Sequence, residues 1–144
     1  MFAVVALLGV AACGDDVESG TASISIESPV VVVPSGANTA LYMTIVNDGD
    51  GADALTEVRS QVADEAQLHR TTEGDDGLTR MEPVDELEVE AGGSAVFEPG
   101  GLHVMLLGVD DLVAGDQVEI ELVFAESGPI DVQAEVRAIS DVVD

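Results

Sequence analysis

Nitrogen and sulfur donors are scarce in this chain, and four of them fall where a folded sheet can gather them. The two histidines are His69 and His103, and the four methionines include Met81 and Met105. His103 and Met105 stand two apart inside the aliphatic run "GGLHVMLLGV". A strand points residues two apart to the same face, so His103 and Met105 project together while Val104 and Leu106 point the other way. One face of this segment reads as core, and neither His103 nor Met105 is expected to belong to it.

His69 lies in "AQLHRT" and Met81 in "LTRMEPV", separated by "RTTEGDDGLTR". The Glu-Gly-Asp-Asp-Gly centre of that link is a turn signal, so the flanking segments are expected to pair as a hairpin and to bring His69 near Met81. A later strand returning beside the hairpin would add His103 and Met105. Two imidazoles and two thioethers form a soft, neutral donor set, poor for Mg, Ca or Zn and well suited to Cu(I). A blue-copper electron-transfer site is excluded, because it needs a cysteine thiolate and none is available here.

Each residue also has an ordinary explanation. A methionine on a strand face is usually core filler, as expected for Met43, and a lone exposed histidine is usually just solvated. On residue types and spacing alone, a metal site and a set of unrelated side chains both remain open.

The elements that would position these residues are short strands. From Ser25 onward, β-branched and alternating segments are separated by Gly, Pro, Asp and Asn, giving about eight to ten strands spaced as in an antiparallel sandwich or small barrel. "ISIES" and "PVVVVP" are interrupted by prolines, which suits an edge or a bulge better than a central strand. "TALYMTIVN" puts Leu41, Met43 and Ile45 on one face and runs into "DGDGAD". That cluster is a plain turn, because the Glu that closes a twelve-residue calcium loop is missing. "DDLVAGDQ" has room for one turn of helix.

At 144 residues the chain is expected to form one domain. Its acidic residues number 29 against four arginines, Arg59, Arg70, Arg80 and Arg137, with a formal charge of -25. No nucleic-acid partner is expected, since little here can replace counterions along a phosphate backbone. The charge reads as an acidic surface that concentrates cations without choosing among them. No Ser/His/Asp or Cys/His constellation can be assembled without spending the two histidines, so no enzyme is expected.

Residues 1–12 form an apolar run too short to cross a bilayer permanently and read as an export signal. Val10-Ala11-Ala12-Cys13 resembles a bacterial lipobox, which makes Cys13 the lipidated first residue of the mature chain, although no Lys or Arg precedes the run. Residues 13–23 would then be the lipidated cysteine and a flexible tether, and residues 24–140 the folded domain. Cys13 is the only cysteine, so no intramolecular disulfide is expected.

The arrangement of His69, eleven residues, Met81, twenty-one residues, then His103-Val104-Met105 resembles the signature of the PCu(A)C family of extracytoplasmic copper chaperones. "YMTIVNDGDGADAL", "TRMEPVDELEVEAGGSAVFEPGGLHVMLL" and "GDQVEIELVFAESGPIDVQAEV" are similar to segments of that family in the same order, over roughly residues 24 to 138. The resemblance implies an all-β, cupredoxin-like antiparallel Greek-key sandwich or barrel. It also implies one Cu(I) held by His69, Met81, His103 and Met105 and passed toward the copper-bearing subunit of cytochrome c oxidase or to another copper chaperone. Two departures stand out. Arg70 follows His69 where many relatives carry a further methionine, and the C-terminus "AISDVVD" lacks the His- and Met-rich tail of some members. The alternative of a different class is a metal-free β-sandwich lipoprotein with an adhesion or scaffold role. A carboxylate cage for hard cations is a third, and it would need acidic side chains converging on one point.

Overall fold

The computed structural model describes residues 20–143, and these are almost wholly β. The strands are β1 (Ile24–Val32), β2 (Asn38–Asn47), β3 (Asp53–Ser60), β4 (Glu65–Glu73), β5 (Thr79–Pro83), β6 (Leu87–Val89), β7 (Ser94–Phe97), β8 (Leu102–Leu107), β9 (Gln117–Phe124) and β10 (Gly128–Arg137). Their order in the sheet is β5-β4-β8-β7-β2-β1-β10-β9-β3-β6. β8 and β7 share one flank of β2: Asn38–Leu41 pair with β8, and Met43–Val46 pair with β7. The sheet curls so that the inner residues of β2 and β8 meet those of β3, β9 and β10 in one core, the cupredoxin-like sandwich expected from the sequence. Alternation explains the choice of inner face: Leu41, Met43 and Ile45 of β2 are buried, as are Val118, Ile120 and Leu122 of β9.

Three local features differ from or extend the sequence expectation. "ISIES" and "PVVVVP" are one strand, and it is central, antiparallel to β2 and parallel to β10. The proline is accommodated by a bulge: the register with β2 shifts between Glu27 and Val30, and Ser28 takes a left-handed φ of 49°. "DDLVAGDQ" contains no helical turn; it bends at Ala114–Gly115, where Asp116 N donates to the Val113 carbonyl and Val113 N to the Asp116 side chain. Among the described residues, the one turn of 3-10 helix lies instead at Ile139–Asp141.

"DGDGAD" is a turn with a second role. Thr21 N donates to Asp50 Oδ1, Ser23 N to Asn47 Oδ1, and Asp48 N to the Ser23 carbonyl. The segment before β1 is thereby clasped to the β2–β3 connection. Gly49 and Gly51 permit the approach, since a Cβ at either would lie 2.2 Å from Thr21 O or 1.9 Å from Gly20 O. Asn47 is fully buried and uses both ends of its amide, donating to Gly51 and Val89 carbonyls and accepting from Ser23 and Gly49 amides.

Candidate metal centre

The hairpin anticipated around "EGDDG" is β4–β5. It closes through Gly74 N to Leu78 O and Gly77 N to Gly74 O, with Gly77 at a φ of 75°, a left-handed conformation that glycine adopts without steric cost. Asp76 locks the turn by accepting from Leu78 N and pairing with Arg80 at 3.0 Å. β8 then runs antiparallel along the other flank of β4. The register sets His69 directly opposite His103, Gln67 opposite Met105, and Thr71 opposite Met81.

Directly opposed residues share a face, so all four predicted donors project from the same side of three adjacent strands. The other side carries Leu68, Val104 and Leu106, all buried. His69 is central: Met81 and Met105 are its diagonal neighbours on either flank, at a spacing of about 7–8 Å that long side chains can bridge. The two imidazole centroids lie 5.6 Å apart with their planes at 78°.

Exposure grades across the set. His103 is only 4% exposed, against the expectation of a residue outside the core; its ring packs edge-on against His69 rather than facing water. His69 and Met105 are half-buried, and Met81 on the outermost strand is 58% exposed.

Each ring uses one nitrogen internally. His103 Nδ1 lies 3.2 Å from the Gly101 carbonyl, and His69 Nε2 lies 3.0 Å from Gln67 Oε1. Both partners are oxygens that only accept, so both nitrogens carry the proton in the neutral rings. The other two, His69 Nδ1 and His103 Nε2, are buried and have no hydrogen-bond partner. Leaving a buried polar atom unpaired costs about 1–3 kcal/mol, so one on each of two neighbouring rings calls for a ligand. Soft electron-pair acceptors fit, because the lone pairs are nitrogen and the neighbouring side chains are thioethers. Among the described residues no group of three or more His, Cys, Asp or Glu converges on a point, which gives a carboxylate cage no support.

Sequence reasoning missed the partners that orient the rings. Gln67 was within reach of it, since residues two apart share a strand face. The Gly101 carbonyl carries no such signal. It also missed Asp53, a buried carboxylate that accepts hydrogen bonds from Ala54 N, Glu126 N and Ser127 N and so ties β3 to the β9–β10 turn. Val10–Ala12 and Cys13 lie outside the described residues, and no helix among those described is long and apolar enough to cross a membrane.

A curled all-β sheet that gathers two histidines and two methionines on one face defines a PCuAC-type domain. The chain belongs to the family described as "Putative lipoprotein LpqE-like", whose model matches residues 24–136. It is 27% identical to the copper-bound PCuAC domain from PmoF2, with a TM-score of 0.67 over 80% of this chain and 92% of that one. It is 30% identical to the CuI-DR1885 protein from Deinococcus radiodurans, with a TM-score of 0.61 over 82% of this chain and 76% of that one. Among curated proteins it is 26% identical to "Putative lipoprotein Lxx21020" of Leifsonia xyli subsp. xyli, over 81% of this chain and 71% of that protein. It is 31% identical to the uncharacterized protein RP573 of Rickettsia prowazekii, where the match covers 63% of this chain and about half, 51%, of the relative.

Proposed function

We propose that this protein is an extracytoplasmic copper chaperone that takes one Cu(I) as cargo through His69, Met81, His103 and Met105. The observation that carries the proposal is the pair of buried, partnerless nitrogens, His69 Nδ1 and His103 Nε2, on the same strand face as two thioethers. Copper-bound relatives with the same fold support it. Four neutral donors suit a monovalent soft ion, because the site brings no negative charge to balance a second positive one.

The cargo passes to another copper protein, with the copper-bearing subunit of cytochrome c oxidase or a second copper chaperone as acceptor. Met81 is the donor that an acceptor reaches first, being the most exposed of the four. The role is that of a carrier and not of an enzyme. Cys13, once lipidated, holds the domain on the outer side of the cytoplasmic membrane or in the periplasm, in keeping with the lipoprotein names of the family and of one relative.

Titration of residues 14–144 with Cu(I) against a colorimetric chelator under reducing conditions tests the proposal. One tight equivalent per chain is expected. A chain that never competes with the chelator is a metal-free sandwich instead.

A further inference from the structure

Two nitrogens are available on every imidazole, and at His69 the neighbours along β4 decide which one is left free. Glu65, Gln67 and His69 alternate on one face of the strand and form a chain of hydrogen bonds. Gln67 Nε2 donates to Glu65 Oε1 at 2.7 Å, and His69 Nε2 meets Gln67 Oε1 at 3.0 Å. An ionised carboxylate only accepts hydrogen bonds. Glu65 therefore dictates the orientation of the Gln67 amide: its NH2 must face the carboxylate, because the reverse would set two oxygen acceptors against each other. The amide oxygen is then the group presented to the ring, and it too only accepts. His69 must donate from Nε2, and its lone pair sits on Nδ1, the atom found buried and partnerless.

We propose that Gln67, oriented by Glu65, is a positioning residue that fixes the rotation and tautomer of His69 so that Nδ1 is the metal-binding atom. This rests on His69 being a copper ligand. Gln67 also lies directly opposite Met105, so the residue that holds His69 is the cross-strand neighbour of one thioether donor. It touches the metal through neither atom of its amide, since both are already committed within the chain of hydrogen bonds. Groups that orient a metal-binding histidine from behind typically carry a ten- to hundredfold effect on affinity, roughly.

The test compares the full chain in detergent with its Gln67→Leu, Gln67→Glu, Glu65→Gln and His69→Ala variants. Two quantities are read: Cu(I) affinity, and the His69 ring nitrogens in long-range 1H–15N spectra of the metal-free protein at about pH 8, where free imidazole is neutral. Leucine fills the space without accepting, so Gln67→Leu should lower affinity by about ten- to a hundredfold and lose the protected Nε2 proton of His69, with the His103 signals unmoved. Gln67→Glu keeps an acceptor at the same reach and should restore the Nε2 proton and most of the affinity. Glu65 is exposed, so Glu65→Gln should fold even where the leucine variant does not. It frees the amide to turn over and should weaken binding by a smaller factor.

Equal losses in the leucine and glutamate variants would assign Gln67 a packing role and overturn the proposal, as would an unchanged affinity in both Gln67→Leu and Glu65→Gln. His69→Ala separates the two levels. If it binds Cu(I) as tightly as the wild type, the ligand set itself is wrong and the role of Gln67 goes with it. If it binds poorly while Gln67→Leu binds normally, only the role of Gln67 is lost.

Discussion

His69 and His103 are directly opposed across the β4–β8 pair, and each is held by an acceptor two residues earlier in its own chain segment, Gln67 for one and Gly101 for the other. The device is the same and its outcome is opposite. His69 gives up Nε2 and keeps Nδ1 free, whereas His103 gives up Nδ1 and keeps Nε2 free. Two neighbouring rings in opposed tautomers, edge to face, thus each keep one lone pair free without competing for a shared proton.

Replacing both His103 and Met105 with Ala should abolish tight Cu(I) binding while leaving the β-sheet circular dichroism in place. Because His103 is buried, its truncation removes the Nδ1 hydrogen bond to the Gly101 carbonyl, which keeps the Thr71 amide as a donor, and the melting curve should register about 0.5–1.5 kcal/mol of destabilisation. A double variant that still binds one Cu(I) with wild-type affinity removes these residues from the site.

Protons compete with copper for imidazole and leave thioethers alone. Affinity for Cu(I) should therefore fall as pH is lowered from about 7.5 to about 4.5. A double His→Met variant should flatten that dependence and keep part of the affinity. A wild-type affinity constant across the range would falsify imidazole ligation.

Asp53 predicts a different pH effect, on stability. Burial pushes its carboxyl up, but hydrogen bonds from the Ser127 hydroxyl and from the backbone amides of Glu126, Ala54 and Ser127 outweigh it and hold the group below its ordinary range. A carboxyl depressed in the folded state stabilises above its unfolded pKa of about 3.9, and that contribution disappears as pH falls through the folded value. Asp53→Asn should cost about 1–3 kcal/mol at neutral pH. The gap in melting temperature between wild type and variant should close in acid; a gap that stays constant down to about pH 2 shows that Asp53 does not supply it.

For the anchor, Cys13→Ser in the full-length chain should release the protein from membranes or leave it unprocessed. Identical detergent partitioning of wild type and variant would remove lipidation and leave the copper site untouched.

The gathering of these four side chains on one face was legible because period-two alternation, a turn signal and two rare residue types coincide. "HVM" fixes a face, and "EGDDG" fixes a hairpin. The placement of β1 was not legible, since its proline reads as an edge signal; a bulge at Ser28 absorbs the missing N–H and lets the strand sit between β2 and β10. The burial of His103 was equally hidden. Alternation assigns it to the face away from Val104, but only the tertiary stacking against His69 closes that face. Asp53 and Asn47 fill structural roles that composition cannot single out, because 29 acidic residues make one buried carboxylate look like the rest.

The hydrogen bonds that clasp Thr21 and Ser23 to the 47–51 turn shorten the leash. If Cys13 sits in the bilayer, only residues 14–20 separate it from the first clasped residue, and even fully extended that stretch spans about 25–30 Å. The domain would then be confined to a shell no thicker than a membrane leaflet or two, in which any copper it carried could meet only partners embedded in, or standing on, the same surface. A chain with a formal charge of -25 is also pushed off anionic headgroups within the Debye length of about 8 Å. If the lipid anchor forms, leash and repulsion together would set a working height: close enough to reach a membrane-bound acceptor, too far to lie flat on the lipid.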